Sequence, residues 1–216
     1  MKASLLLLIS VFVAQLPAAE PKPPMTRIEC RNIFPKMPAD SFGAKPKILY
    51  IAGTTYSRIE EQPDPAEGIH GLIICAEPDI WMVNLFPRTA QHIVDPGPTF
   101  ITHHDILDRD APKEFSSLEL GKEIEFFRSH HATPLEAQSL DGQRCEASEF
   151  THANYRVVLF VRADTHQPFH LDVFRDGKAF FSIRYLSYQP DLPFDPALFT
   201  PPADITITEA KPNHAK

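Results

Sequence analysis

The sequence predicts a mainly β protein of about eleven strands in series, forming an antiparallel sheet, sandwich or barrel with one main helix packed against it. Three observations carry this. Twenty-two prolines and only eight glycines stand in 216 residues, against ordinary usage of roughly 5% and 7%. Rigid corners, not flexible linkers, therefore punctuate the chain. The windows between prolines are short and rich in β-branched and aromatic residues, so they read as strands. One window alone combines a helix start with a helical period. The sixteen Phe, spread through the chain, exclude a disordered protein, which lacks the apolar surface needed to offset its conformational entropy.

Met1 and Lys2 precede an almost wholly apolar run from Ala3 to Leu16, followed by the small residues Ala18 and Ala19. This order is that of a secretory signal peptide at 1–19. The run of about 14 residues is too short to span a bilayer, which takes roughly 20, so no integral membrane span is expected after cleavage. Residues 20–25 read as a Pro-rich disordered start, 26–208 as one β-rich domain, and 209–216 as a flexible tail. The formal charge of −7 loses one more positive charge, that of Lys2, on cleavage. An acidic exported chain is poorly suited to nucleic acid. The expected address is the periplasm if the source is Gram-negative, and otherwise the extracellular space.

The strand windows are 27–34, 47–60, 69–76, 79–86, 89–95 and 99–107, then 135–140, 143–151, 155–163, 169–174 and 178–188. Between the two groups, Ser116 and Glu119 have capping-box spacing, and Phe115 and Leu120 are placed for a hydrophobic staple. Leu120, Ile124 and Phe127 then recur as one apolar stripe with Phe126 beside it, which predicts a helix over about 116–130. Gly121 costs that helix roughly 1 kcal/mol relative to Ala. In the last hairpin, apolar residues alternate on both sides of Asp176-Gly177. A three-residue loop over Arg175, Asp176 and Gly177 would pair Val173 with Ala179, Leu171 with Phe181 and Phe169 with Ile183, keeping one face apolar. The same loop at 140–142 would pair Ala137 with Cys145 and Leu135 with Ala147.

Cys30, Cys75 and Cys145 fit no metal or redox motif and are an odd number, so they read as buried thiols on strands or as one bridge and one free thiol. There is no GxSxG elbow, no HExxH and no phosphate loop. Among ten histidines, His103 and Asp105 would share a strand face and, with a third group, hold a metal. His130 and His131 complement the end of the predicted helix. Glu60, Glu61, Asp64 and Glu67 read as a solvated, proline-broken loop, and Asp95-Pro96-Gly97-Pro98 as a rigid turn. Trp81, the single Trp, reads as a core or ligand-facing residue.

The C-terminal third closes with PFHLDVF at 168–174, FSIRYLSY at 181–188 and FDPALFTPP at 194–202. In the last of these, Asp195 caps, Pro196 starts a single helical turn, Leu198 and Phe199 plug the sheet, and Pro201 with Pro202 end it. Over roughly 155–208 this pattern resembles the periplasmic outer-membrane lipoprotein carrier and sorting superfamily. The chain departs from that pattern at its start, where 20–25 is too short and Pro-rich for a leading helix. The resemblance implies an incomplete β-barrel whose concave face, lidded by the helix, holds an acyl chain or another hydrophobic small molecule. The resulting expectation is a non-catalytic exported binding protein with Trp81, Phe127 and Phe181 lining the ligand, no cofactor, and an envelope protein as a further partner. The alternatives are an exported hydrolase or metalloenzyme using His103 and Asp105, and an interaction module with a solid core.

Overall fold

The computed structural model describes residues 22–38 and 40–210. The expected signal peptide and most of the expected tail lie outside the described residues. Twelve strands form one sheet: β1 Met25–Ile33, β2 Lys47–Ala52, β3 Tyr56–Glu61, β4 Gly71–Ala76, β5 Asp79–Asn84, β6 Thr89–Val94, β7 Thr133–Leu140, β8 Gln143–His152, β9 Tyr155–Arg162, β10 Pro168–Arg175, β11 Lys178–Leu192 and β12 Thr206–Glu209. Their order is β12-β6-β5-β4-β3-β2-β1-β11-β10-β9-β8-β7. The sheet is thus two meanders joined where β1 pairs with β11, and it ends on β12 and β7 without closing, an incomplete barrel. Every neighbouring pair is antiparallel except β12 on β6.

The strand count departs from the sequence expectation in three places. Window 47–60 is a hairpin, β2 and β3, turned at Gly53, whose φ of +60° only glycine adopts at no cost. Window 99–107 is no strand: it contributes a single isolated bridge, Asp105 to Glu119. β12 was not expected, because its partner β6 lies more than a hundred residues away in sequence.

The hairpins keep the predicted parity but reach it differently. Asp176 and Gly177 both have positive φ, 52° and 72°, the signature of a two-residue I′ loop. Arg175 then pairs with Lys178 and Phe174 with Ala179, a bulge at Phe180 follows, and Val173 faces Phe181 while Leu171 faces Ile183. The extra residue therefore sits in the strand, where it adds twist, and not in the loop. At Asp141-Gly142 the same device gives the predicted Leu135 to Ala147 pair, but Cys145 faces Gln138 and not Ala137.

The helix is shorter than predicted. α1 spans Glu123–Ser129, and a 3₁₀ turn at Lys113–Phe115 precedes it. Ser116 ends that turn and caps nothing, so the expected capping box does not form. The cause is tertiary. Residues 104–106 pair with 118–120 through Ile106 N–H to Leu118 O at 3.0 Å and Leu120 N–H to His104 O at 2.9 Å, which holds the chain out of helix. Gly121, at φ +88°, then redirects it into α1.

One core lies between α1 with its preceding segment and the middle of the sheet, where Ile28, Leu118, Phe126 and Leu159 are no more than 1% exposed. Burying each such side chain contributes roughly 1.5–3 kcal/mol. On the opposite face, Leu72, Ile74, Val83 and Ala90 pack under Phe199 and Ile205. The closing turn is as predicted: the Asp195 carboxylate accepts the Ala197 amide at 3.0 Å, Pro196–Phe199 forms a 3₁₀ turn, and Phe199 is buried. A third cluster, Cys145, Ala147, Val158, Phe160 and Phe169, lies on β8–β10.

Candidate functional site

Successive strand residues alternate between faces, so the pairing defines two rows on the helix-bearing face. One runs Leu49, Ile59, Ile73, Met82, Gln91, and the other Ile51, Ser57, Cys75, Ile80, Ile93. Over β2 these rows belong to the core, with Leu49 only 3% exposed. Beyond β3 the two rows part: the second stays buried through Ser57 and Cys75, 2% and 7% exposed, while the first opens to solvent. Ile73 is 37% and Met82 49% exposed, directly paired with each other. A cavity of about 410 Å³ opens here, lined by Ile73, Met82, Glu61, Asn84, Gln91 and Thr208 among others. Exposed Phe100 and Ile101 belong to the segment that Thr102 N–H fastens to Thr54 O at 2.8 Å.

A second opening of about 550 Å³ lies at the other flank of α1, between Ile124 and Arg128 and the strands carrying Pro134, Ser148 and Val161. Directly beneath α1 the interface is solid, filled by Phe115, Phe126 and Phe127. The ligand space that a helix-lidded concave face implies is therefore not found beneath α1, where these aromatic rings form the solid core expected of an interaction module.

The three aromatic residues expected to line a ligand do not meet. Phe127 is 4% exposed, within the core and edge-on to Phe126. Phe181, half-buried, lies across the sheet from Val173 with its ring 5.7 Å from Phe34. Trp81 faces the other side of the sheet, stacked 5.3 Å above His92. His92 in turn binds Asp79 at 2.8 Å and Glu209 at 3.0 Å, clasping β12 to the sheet. Ile73 and Met82 were not singled out by the sequence, although their windows, apolar at nearly every position, lack the alternation of a strand with one solvated face.

His103 and Asp105 lie on no strand; an isolated bridge from Asp105 brings both beside Glu119. Donor atoms of the three lie within 4.8 Å of one another. His103 Nδ1 is 3.0 Å from Glu119 Oε1, and Lys122 Nζ donates to Glu119 Oε2 at 2.9 Å. Burial raises the Glu119 carboxyl, but the hydrogen bonds from His103 and Lys122 outweigh it and hold the group below its ordinary value.

A buried polar group sits beneath α1. Glu123 Oε1 accepts the Tyr185 hydroxyl and the Gly121 amide, the latter at 2.9 Å, and Oε2 has no partner among the described residues. Burial pushes this carboxyl up to about 6, and burial beside its charge pushes the Cys30 thiol up to about 12. Cys30, Cys75 and Cys145 are all buried and unpaired. The carboxylates around 60–67 make ion pairs, Glu61 with Lys47 and Asp64 with Lys45. His130 closes the end of α1, its Nδ1 2.9 Å from Phe126 O.

Neither a protein-family model nor a curated protein matches the chain. Similar solved structures include an uncharacterized conserved protein from Thermus thermophilus, 8% identical over 87% of this chain and 91% of that one with a TM-score of 0.48. An outer membrane lipoprotein-sorting protein domain from Vibrio parahaemolyticus is 11% identical over 82% and 89%, with a TM-score of 0.35. A LolA superfamily protein from Nitrosomonas europaea is 12% identical over 85% and 91%, with a TM-score of 0.32. Members of the lipoprotein-sorting superfamily are among the solved structures to which this chain is similar.

Proposed function

We propose that this protein is an exported, non-catalytic binder of a hydrophobic ligand, an acyl chain, held on the apolar row that Ile73 and Met82 carry into the open. The observation that carries this reading is the Ile73–Met82 pair, where core-type side chains continue in register beyond the segment that covers them. Apolar rows that pass from a covered core into an open cavity have the form of a binding surface for a flexible apolar ligand. From Ile59 on β3 to Met82 on β5 the apolar row crosses two strand spacings, roughly 10 Å, before Gln91 ends it on β6. Met82 supplies a pliable surface that adapts to differing chains. The rim of Glu61, Asn84, Gln91 and Thr208 is polar and suits the polar end of an amphiphile.

Titration of the mature protein with a fluorescent fatty acid, alongside native mass spectrometry for co-purified lipid, tests the proposal. The expected result is saturable binding that Met82→Glu and Ile73→Asp abolish while the circular dichroism spectrum is unchanged. Absence of binding by the wild type, or binding indifferent to both substitutions, would overturn it.

A further inference from the structure

We propose that His103, Asp105 and Glu119 form a binding site for a divalent transition metal of the zinc type. Backbone pairing preorganises the cluster. The isolated bridge between Asp105 and Glu119, with the flanking hydrogen bonds of Ile106 to Leu118 and Leu120 to His104, sets residues 103–106 against 118–120. Alternation along 103–106 turns Ile106 into the core and leaves His103 and Asp105 on the outer side, exposed, opposite Glu119.

The donor set is one imidazole and two carboxylates, which suits zinc. Donor atoms around a tetrahedral zinc at about 2.1 Å stand roughly 3.4 Å apart. His103 Nδ1 and Glu119 Oε1 are already 3.0 Å apart, and all three donors fall within 4.8 Å. The widest separation therefore exceeds the zinc spacing by no more than about 1.4 Å. The charge balance points the same way. Two carboxylates converge, the one permanent cation joined to them is Lys122, and it occupies Glu119 Oε2 while Oε1 faces His103. Asp105 has no ion pair among the described residues. Three protein ligands leave a fourth position for water, and an ion there would tie 103–105 to 119 across the segment that leads into α1.

The test is calorimetric titration of the mature protein with zinc chloride at pH 7, with hydrogen exchange over 103–120 as a second readout. One ion per chain is expected, together with slowed exchange in that segment. His103→Ala and Asp105→Asn, both at exposed positions, should each weaken binding by roughly ten-fold or more, the scale at which perturbing a metal site is felt. Lys122→Met should strengthen it by removing a competing cation. Should the wild type take up no saturable zinc, or should the two exposed-site variants bind as tightly as the wild type, the site does not exist. Neither result bears on fatty-acid binding, which is read at Ile73 and Met82.

Discussion

The Tyr185 hydroxyl donates to Glu123 Oε1 at 2.5 Å, joining the last long strand to the first turn of α1 through a fully buried carboxyl group. The Gly121 amide donates to the same oxygen. This contact, with the aromatic core around it, positions the covering segment whose limit exposes Ile73 and Met82.

That carboxyl makes stability pH-dependent. Burial raises it to about 6 from an ordinary 4.5, against the opposing pull of the Tyr185 and Gly121 hydrogen bonds. Since the folded-state value is the higher one, the group's favourable contribution is fully present below about 4.5 and is lost as pH rises through about 6. The loss amounts to about 2 kcal/mol. Thermal unfolding followed across this range should show that decline in the wild type and a flatter profile in Glu123→Gln. Tyr185→Phe should lower stability at neutral pH by about 1–3 kcal/mol, since it removes one of the two donors to a buried carboxylate oxygen.

Gly121→Ala separates the helix expected at 116–130 from the one observed. Within a helix this change would stabilise by roughly 1 kcal/mol. At φ +88°, with an added Cβ 3.4 Å from the Cδ1 atoms of Ile28 and Ile51, it should destabilise by about 1–3 kcal/mol. Urea denaturation gives the sign directly.

His92 clasps β12, and its hydrogen bonds to Glu209 and then Asp79 raise it above its ordinary value. The clasp is therefore fully present below about pH 6.5 and weakens as pH rises through the raised value. Amide exchange at Thr206–Glu209, corrected for its intrinsic pH dependence, should accelerate above that value in the wild type. In His92→Ala it should be fast throughout.

Trp81 and Met82 are neighbours on opposite faces. Trp81→Ala removes a side chain packed on the second core and should cost about 2–3 kcal/mol without affecting fatty-acid binding. Met82→Lys, at an exposed position, should alter stability by no more than about 0.5 kcal/mol and eliminate binding. Chemical denaturation and ligand titration of the two variants give this double dissociation or refute it.

Much of the sheet is legible from short-range pattern. The β5, β6 and β8–β10 windows fall within a residue or two of the strands, and the Asp195–Pro202 turn was readable because its cap, first proline and plugging aromatics are contiguous. The failures share one cause. Ser116 and Glu119 have ideal capping spacing, yet Glu119 serves His103 and Lys122, because pairing with 104–106 outweighs local helix propensity. β12 has β-branched alternation at Ile205-Thr206-Ile207-Thr208, but only a partner more than a hundred residues away makes so short a run a strand, and the exposure of Ile73 and Met82 depends on where a segment far along the chain happens to stop.

By itself the sequence determined the strand-rich class, the parity of the apolar faces and the closing turn. All of these follow from the two-residue period of a strand and from the chemistry of neighbouring residues. The tertiary structure decided the bulges that complete each hairpin, the third member of the His103 cluster, the buried position of Glu123, and which apolar side chains remain open to solvent. Those depend on contacts between residues distant in sequence, whose energies exceed the local preferences that a sequence displays.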